Sequence, residues 1–318
     1  MINTFTTRVN LAREIPAKDP GIFVDLLVDG NFKLIFSKPS NKDILISLLN
    51  EFIPSRISDL KLVMQEQRGR QPHLKNSIFD LDCEFDDGRS AVVEVQFNSR
   101  ADYLDRMLYY STWPISEQKL VSEKNYTLKD VYIISFCNFA LVHDDGWDED
   151  KVVSSYSIRE DSNGELMTGA LHFIYVELAR FKKEKSELKT QLESFLFYLK
   201  NMGRMNMIPK DSVFAPVDRM VKAAVVASLC PEDRTIYDRN MRNEFDLRTE
   251  RLMAREQAIA EGKAEGRAEG RAEGRAEGLA QGKAEGRAEM AKAMKADGMP
   301  LDVIAKYSGL SEAEINSL

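Results

Sequence analysis

Residues 78–97 admit one simple local structure, a tight β-hairpin. In 78–85, Phe79, Leu81, Cys83 and Phe85 alternate with Asp80, Asp82 and Glu84, the period-two pattern of a strand with one apolar and one polar face. In 91–97, Ala91, Val93, Val95 and Phe97 alternate with Val92, Glu94 and Gln96. Asp86-Asp87-Gly88 joins the two runs as a three-residue loop whose last position needs a positive φ, which glycine adopts without steric penalty. If Phe85 pairs with Arg89, then Asp80 lies directly opposite Glu94, with Cβ atoms about 4.5–5.5 Å apart. Facing carboxylates repel, and a hard divalent cation with oxygen ligands between them relieves the cost. The alternative is an ordinary amphipathic hairpin whose polar face is hydrated.

The order Asp80, an interval, then Glu94-Val95-Gln96 resembles the signature of the PD-(D/E)XK nuclease superfamily, and within it the recombination-promoting nucleases, also called PD-(D/E)XK nuclease family transposases. The resemblance extends from about Pro20 to about Phe245. It is carried also by Asp29-Gly30-Asn31-Phe32-Lys33-Leu34-Ile35-Phe36, Leu48-Leu49-Asn50 and Arg106-Met107-Leu108-Tyr109-Tyr110. Tyr126 with the run 131–136, and His172-Phe173-Ile174-Tyr175-Val176-Glu177-Leu178, complete it. Gln96 stands where the wider superfamily has lysine, and Phe79 where it has proline; glutamine at the first position is common in this group. A neutral amide there lacks the ammonium that would orient water and stabilise developing negative charge.

The resemblance implies an α/β fold, a restriction-endonuclease-like mixed sheet flanked by helices with a helical C-terminal extension. It implies a DNA endonuclease dependent on Mg²⁺, or Mn²⁺ or Ca²⁺, with a part in recombination or mobile DNA. Asp80, Glu94 and the Val95 carbonyl would hold the ion, Gln96 would orient water, and Asp29 is a further candidate ligand. Arg68, Arg70 and Lys75, with His73, crowd a Gly- and Pro-containing loop just upstream of Asp80. With Lys33 they are candidate DNA contacts, since cations beside the site would meet the phosphate backbone. Arg106 and Tyr110, one helical turn apart, are candidates too, the alternative for them being a core-edge salt bridge and a packed ring.

Composition limits the remaining classes. A net charge of −7 is unlike a chain coated with phosphate-binding charge, so any DNA contact must rest on local clusters. The apolar run at 131–142 is too short and interrupted to span a bilayer, and residues 1–19 lack a basic start followed by an apolar block. A cytoplasmic protein with no membrane partner is expected. Cys83, Cys137 and Cys230 form no CxxC pair and read as reduced thiols. His73, His143 and His172 have no paired spacing, which disfavours a structural zinc site, and His172 reads as a packing residue.

The chain divides into a tail (1–19), a nuclease-like domain (20–210), a helical extension (211–257), a repeat (258–289) and a small helical tail (290–318). In the domain, a helix is expected from Ser40 to Pro54, opened by Ser40 with Asp43, and a strand over 57–63. A helix over 102–120 should be kinked or split by Pro114, and strands are expected over 131–139 and 171–178. Helices are then expected over 188–201 and 213–229.

The repeat places glycine at every fourth position from 262 to 286, with like charges at i,i+4. A four-residue period drifts by about 40° per repeat around a helix, so no fixed apolar face forms. The expectation is a helix poorly ordered alone, able to act as an oligomerisation arm. Two other readings stay open: a nuclease-like scaffold that binds DNA or protein without cutting, and a DDE-type transposase, for which no third downstream carboxylate stands out.

Overall fold

The computed structural model describes residues 21–28, 30–63, 80–118, 127–207, 209 and 213–318. Residues up to Phe245 form one compact unit and Asp246–Leu318 a second. The first is built on a six-stranded mixed sheet in the order β1-β2-β3-β4-β6-β5. Its strands are β1 (Leu60–Leu62), β2 (Leu81–Phe85), β3 (Ser90–Gln96), β4 (Val131–Cys137), β5 (Val153–Arg159) and β6 (Leu166–Glu177). The pairs β1–β2, β2–β3 and β5–β6 are antiparallel, whereas β3, β4 and β6 run parallel at the centre.

Strand alternation divides the helices between two cores. Leu81, Cys83, Phe85, Ala91, Val93 and Val95 face the larger one, shared with helices α1 (Asn31–Phe36), α2 (Lys42–Leu49), α4 (Gln191–Asn201) and α5 (Ala215–Ala223). Val92, Val131, Ile133 and Cys137 face the smaller one, covered by Tyr103, Met107 and Tyr110 of α3 (Tyr103–Glu117). Each sheet face therefore buries apolar surface against its own helical layer, the arrangement a sheet apolar on both faces requires.

The Asp29-Gly30-Asn31 motif proves structural at its described positions. Gly30 has φ 77°, left-handed backbone that favours glycine, at the start of α1. Asn31 is fully buried; its Nδ2 donates to the Asp25 carbonyl at 3.0 Å, and its Oδ1 accepts from Asn240 at 3.0 Å. The motif thus ties the N-terminal segment to α6 (Pro231–Ala296).

Several local expectations are corrected. Pro114 does not split α3: the helix continues to Glu117 with Pro114 buried, and Ser111 and Thr112 donate their hydroxyls to the carbonyls of Leu108 and Tyr109. Packing against β4 and local hydroxyl bonding sustain a helix that proline alone would interrupt. Ser40 does not cap α2; it lies in a 3-10 turn, and its hydroxyl reaches Asn41 Oδ1 instead. The edge strand β1 is shorter than the apolar run suggested, and β5 has no strand signal in its sequence because Val153–Arg159 is mostly exposed, with serines in place of an apolar face.

The tetrad repeat lies wholly within α6, a 66-residue helix, and its residues are exposed apart from the half-buried Ala288. Gln257 and Gln281 donate to Glu261 and Glu285 at i+4, each at 2.8 Å. Beyond it, α7 (Leu301–Ser308) and α8 (Glu312–Ser317) bury Ile304 and Ile315 with Ala291, and Ser311 and Glu314 form the expected capping box.

Candidate active site

The observed register is the one the loop implied. Leu81 pairs with Val93 and Cys83 with Ala91, Gly88 has φ 85°, and its N–H donates to the Phe85 carbonyl at 3.0 Å. One step past Leu81–Val93, this register sets Asp80 opposite Glu94, on the face covered by α3. Both acids are buried, at 7% and 6% exposure, which is unusual for carboxylates outside a site or an ion pair. The Val95 N–H donates to Asp80 Oδ2 at 2.7 Å, so Asp80 is anchored on the segment that carries Glu94 and Gln96. In an extended strand a residue's N–H and C=O point to the same side, so the Val95 carbonyl also faces Asp80.

Arg106 closes the site from α3. Its Nη2 lies 3.1 Å from Glu94 Oε1 and also donates to Gln96 Oε1, while its guanidinium sits over the rings of Tyr103 and Tyr110, 5.5 and 5.6 Å from their centroids. Burial first, then the negative charge of Glu94, holds the Tyr110 phenol above its ordinary pKa; Asp80 acts in the same sense and Arg106 against it. Tyr110 thus lies within electrostatic reach of both carboxylates. A core-edge salt bridge and a packed ring describe the contacts of Arg106 and Tyr110, yet those contacts are with the candidate site itself.

The structure does not gather every candidate. Lys33 is exposed on α1, whose apolar residues join the core on the opposite sheet face. Asp29, Arg68, Arg70, His73 and Lys75 lie outside the described residues. Among the described residues, no group of three or more His, Cys, Asp or Glu side chains is arranged to hold a metal ion. The donors present are two buried carboxylates and a main-chain carbonyl. All are hard oxygen ligands, which fits Mg²⁺ or Mn²⁺ better than a metal that prefers nitrogen or sulfur.

Sequence reading missed a second buried polar cluster. Glu177, fully buried at the end of β6, accepts from the Leu141 N–H at 2.7 Å and from Arg180 Nε at 2.8 Å, and His143 Nε2 lies 2.8 Å from its other oxygen. One acid inside the apolar run 171–178 was the available signal. Its partners, 36 and 34 residues upstream and 3 downstream, could not be read from spacing.

A central parallel sheet extended by an antiparallel hairpin, flanked by helices and bearing an acidic pair on that hairpin, is the restriction-endonuclease-like fold of PD-(D/E)XK nucleases. The chain belongs to the PD-(D/E)XK nuclease family transposases, whose family model matches residues 26–251. Membership places it among nuclease hydrolases linked to mobile DNA, a superfamily whose members generally use divalent metals. Among curated proteins and among solved structures, none matches the chain. No described helix is long and apolar enough to cross a membrane.

Proposed function

We propose that the protein is a divalent-metal-dependent DNA endonuclease acting on mobile or recombining DNA in the cytoplasm, with Asp80, Glu94 and the Val95 carbonyl as ligands for Mg²⁺. The observation that carries this reading is the Val95 N–H to Asp80 hydrogen bond, which holds one buried carboxylate against the strand bearing the other. Such an ion supplies a nucleophile at neutral pH and neutralises charge developing on the scissile phosphate. Arg106 engages Gln96 through its carbonyl oxygen, so the amide NH₂ is the group left to donate, to an attacking water or a phosphate oxygen. Arg106 also offsets the repulsion between the two acids.

Cleavage of supercoiled plasmid in Mg²⁺, Mn²⁺, Ca²⁺ and EDTA tests the proposal. Nicking or linearisation with Mg²⁺ or Mn²⁺ and none in EDTA is expected; cutting that persists in EDTA would refute metal dependence. Arg106→Ala is expected to lower stability by about 1.5–3 kcal/mol, the range for hydrogen bonds to charged groups. Thermal melts should then show Mg²⁺ raising the variant's Tm more than the wild type's, because the ion replaces the lost positive charge.

One observation favours a second reading. Arg106 already neutralises Glu94 and engages Gln96, which suits a nuclease-fold scaffold that binds without cutting and assembles through its exposed repeat. DNA binding without cleavage in any metal would favour it. An unchanged number of protomers in light scattering after truncation before Ala258 would remove the arm's oligomeric role.

A further inference from the structure

The guanidinium of Arg106 meets the acidic site through one of its nitrogens. Nη2 donates to Glu94 Oε1 and to Gln96 Oε1. The neighbouring Nε–H is shielded from solvent and has no hydrogen-bond partner among the described residues. Shielded donors are rarely left unmet in a folded chain, so this one is available to an incoming oxygen. Nε and Nη2 lie on the same edge of the guanidinium plane, and that edge grips an oxyanion through two parallel N–H bonds. Arg100 uses it in this chain: its Nε and Nη2 reach the two oxygens of Asp102 at 3.0 and 3.2 Å. In Arg106 the edge cannot close on one oxyanion while Nη2 is divided between Glu94 and Gln96.

The charges of the site indicate which oxygen that is. With Asp80 and Glu94 as carboxylates beside Arg106, the described groups of the site carry one negative charge in excess, which attracts a divalent cation and repels a phosphodiester. Once the two acids hold such an ion, the excess is one positive charge, and a single phosphodiester group neutralises it. A divalent ion and Arg106 are also like charges at one carboxylate, Glu94, so each weakens the other's hold on it. The rings beside the guanidinium let it change partners. Tyr103 and Tyr110 have their centroids 5.5 and 5.6 Å from it, and attraction to a π-face does not depend on which oxygen the N–H groups meet. The side chain as a whole is partly accessible, so a phosphate oxygen can reach it.

We propose that Arg106 exchanges Glu94 for a phosphodiester oxygen of the DNA when the two acids hold the divalent ion, and so couples ion binding to DNA binding; the inference rests on the nuclease reading above. In the free protein Arg106 compensates Glu94 and keeps the acidic pair stable. In the loaded site the same side chain closes its Nε–Nη2 edge on the backbone and fixes the strand beside the acids. By linkage, DNA tightens the ion by the factor that the ion tightens DNA. The contact is with phosphate, so it positions the strand without reading its sequence.

Ca²⁺ and a fluorescein-labelled DNA duplex test the coupling on the full chain. Anisotropy in EDTA and in saturating Ca²⁺ gives the affinity for the duplex, and calorimetry gives the affinity for Ca²⁺ with and without DNA. Wild type is expected to bind the duplex more tightly in Ca²⁺. Arg106→Gln should bind Ca²⁺ more tightly than wild type in the absence of DNA and match wild type on the duplex in EDTA. In Ca²⁺ it should lose about 10–100-fold in duplex affinity, the loss of one hydrogen-bonded contact between charged groups. Arg106→Lys keeps the positive charge at Glu94, and circular dichroism checks its fold; without the fork it should lose part of that affinity, again in Ca²⁺ alone. An equal loss in EDTA and in Ca²⁺ would show a DNA contact that involves no exchange. Wild-type duplex affinity in Ca²⁺ for either variant, or unchanged Ca²⁺ affinity in Arg106→Gln, would make Arg106 a structural ion pair. Each of these results overturns the proposal and leaves wild-type cleavage in Mg²⁺ standing. A wild-type protein that binds neither Ca²⁺ nor DNA removes both readings.

Discussion

Glu94→Gln and Asp80→Asn are each expected to reduce plasmid cleavage by about 10²–10⁴-fold with the fold intact. Each exchange preserves side-chain shape but removes one of the two charged oxygen donors, and metal-supplied stabilisation of several kcal/mol corresponds to that range of rate. The two variants should differ in stability. Asn at 80 keeps an acceptor for the Val95 N–H, so its cost is small. Gln at 94 leaves Arg106 facing a neutral amide, and here removing one buried like charge partly offsets the lost ion pair. Circular dichroism and thermal melts should therefore show folded proteins, and DNA binding in Ca²⁺ should persist while cutting in Mg²⁺ is lost. Cleavage at the wild-type rate by either variant would exclude that residue as a metal ligand.

Glu177→Ala is expected to destabilise the protein by about 3–5 kcal/mol, the cost of leaving one partner of a buried pair uncompensated. Arg180 is itself buried; it bonds Glu177 through Nε and reaches the Leu141 carbonyl through Nη2 at 3.2 Å. Glu149, its other carboxylate partner, is 80% exposed and offers a weaker, screened replacement. The same substitution frees the Leu141 N–H and His143, so the loop bearing Trp147 loses its anchor. Denaturant melts measure the loss; a change below about 1 kcal/mol would show that the network is not coupled to folding. Glu177→Gln, which still accepts hydrogen bonds, should recover part of the stability.

The hairpin was legible because its information is local. Strict alternation assigns Asp80, Glu94 and Gln96 to one face, and Gly88 with two aspartates fixes the turn and therefore the pairing. The central strands were legible from their apolar runs, since β4 is buried at every position. The edge strand β5 was not: it presents serines and exposed residues, and its pairing with β6 comes from the partner strand rather than from its own pattern. The proline does not split α3, because propensity is a weak local bias that packing on β4 outweighs.

By itself, then, the amino-acid order determined the hairpin register and the pairing of two acids across it, consequences of neighbours close in sequence, and the family resemblance, which the order of motifs along the chain carries. Tertiary structure alone decided that Arg106 of α3 meets Glu94 and Gln96, that Asn31 joins Asn240, and that Glu177 collects Leu141, His143 and Arg180. Those contacts depend on which helix covers which face of the sheet. That choice is made by burial of apolar surface summed over the whole unit, and no single segment encodes it.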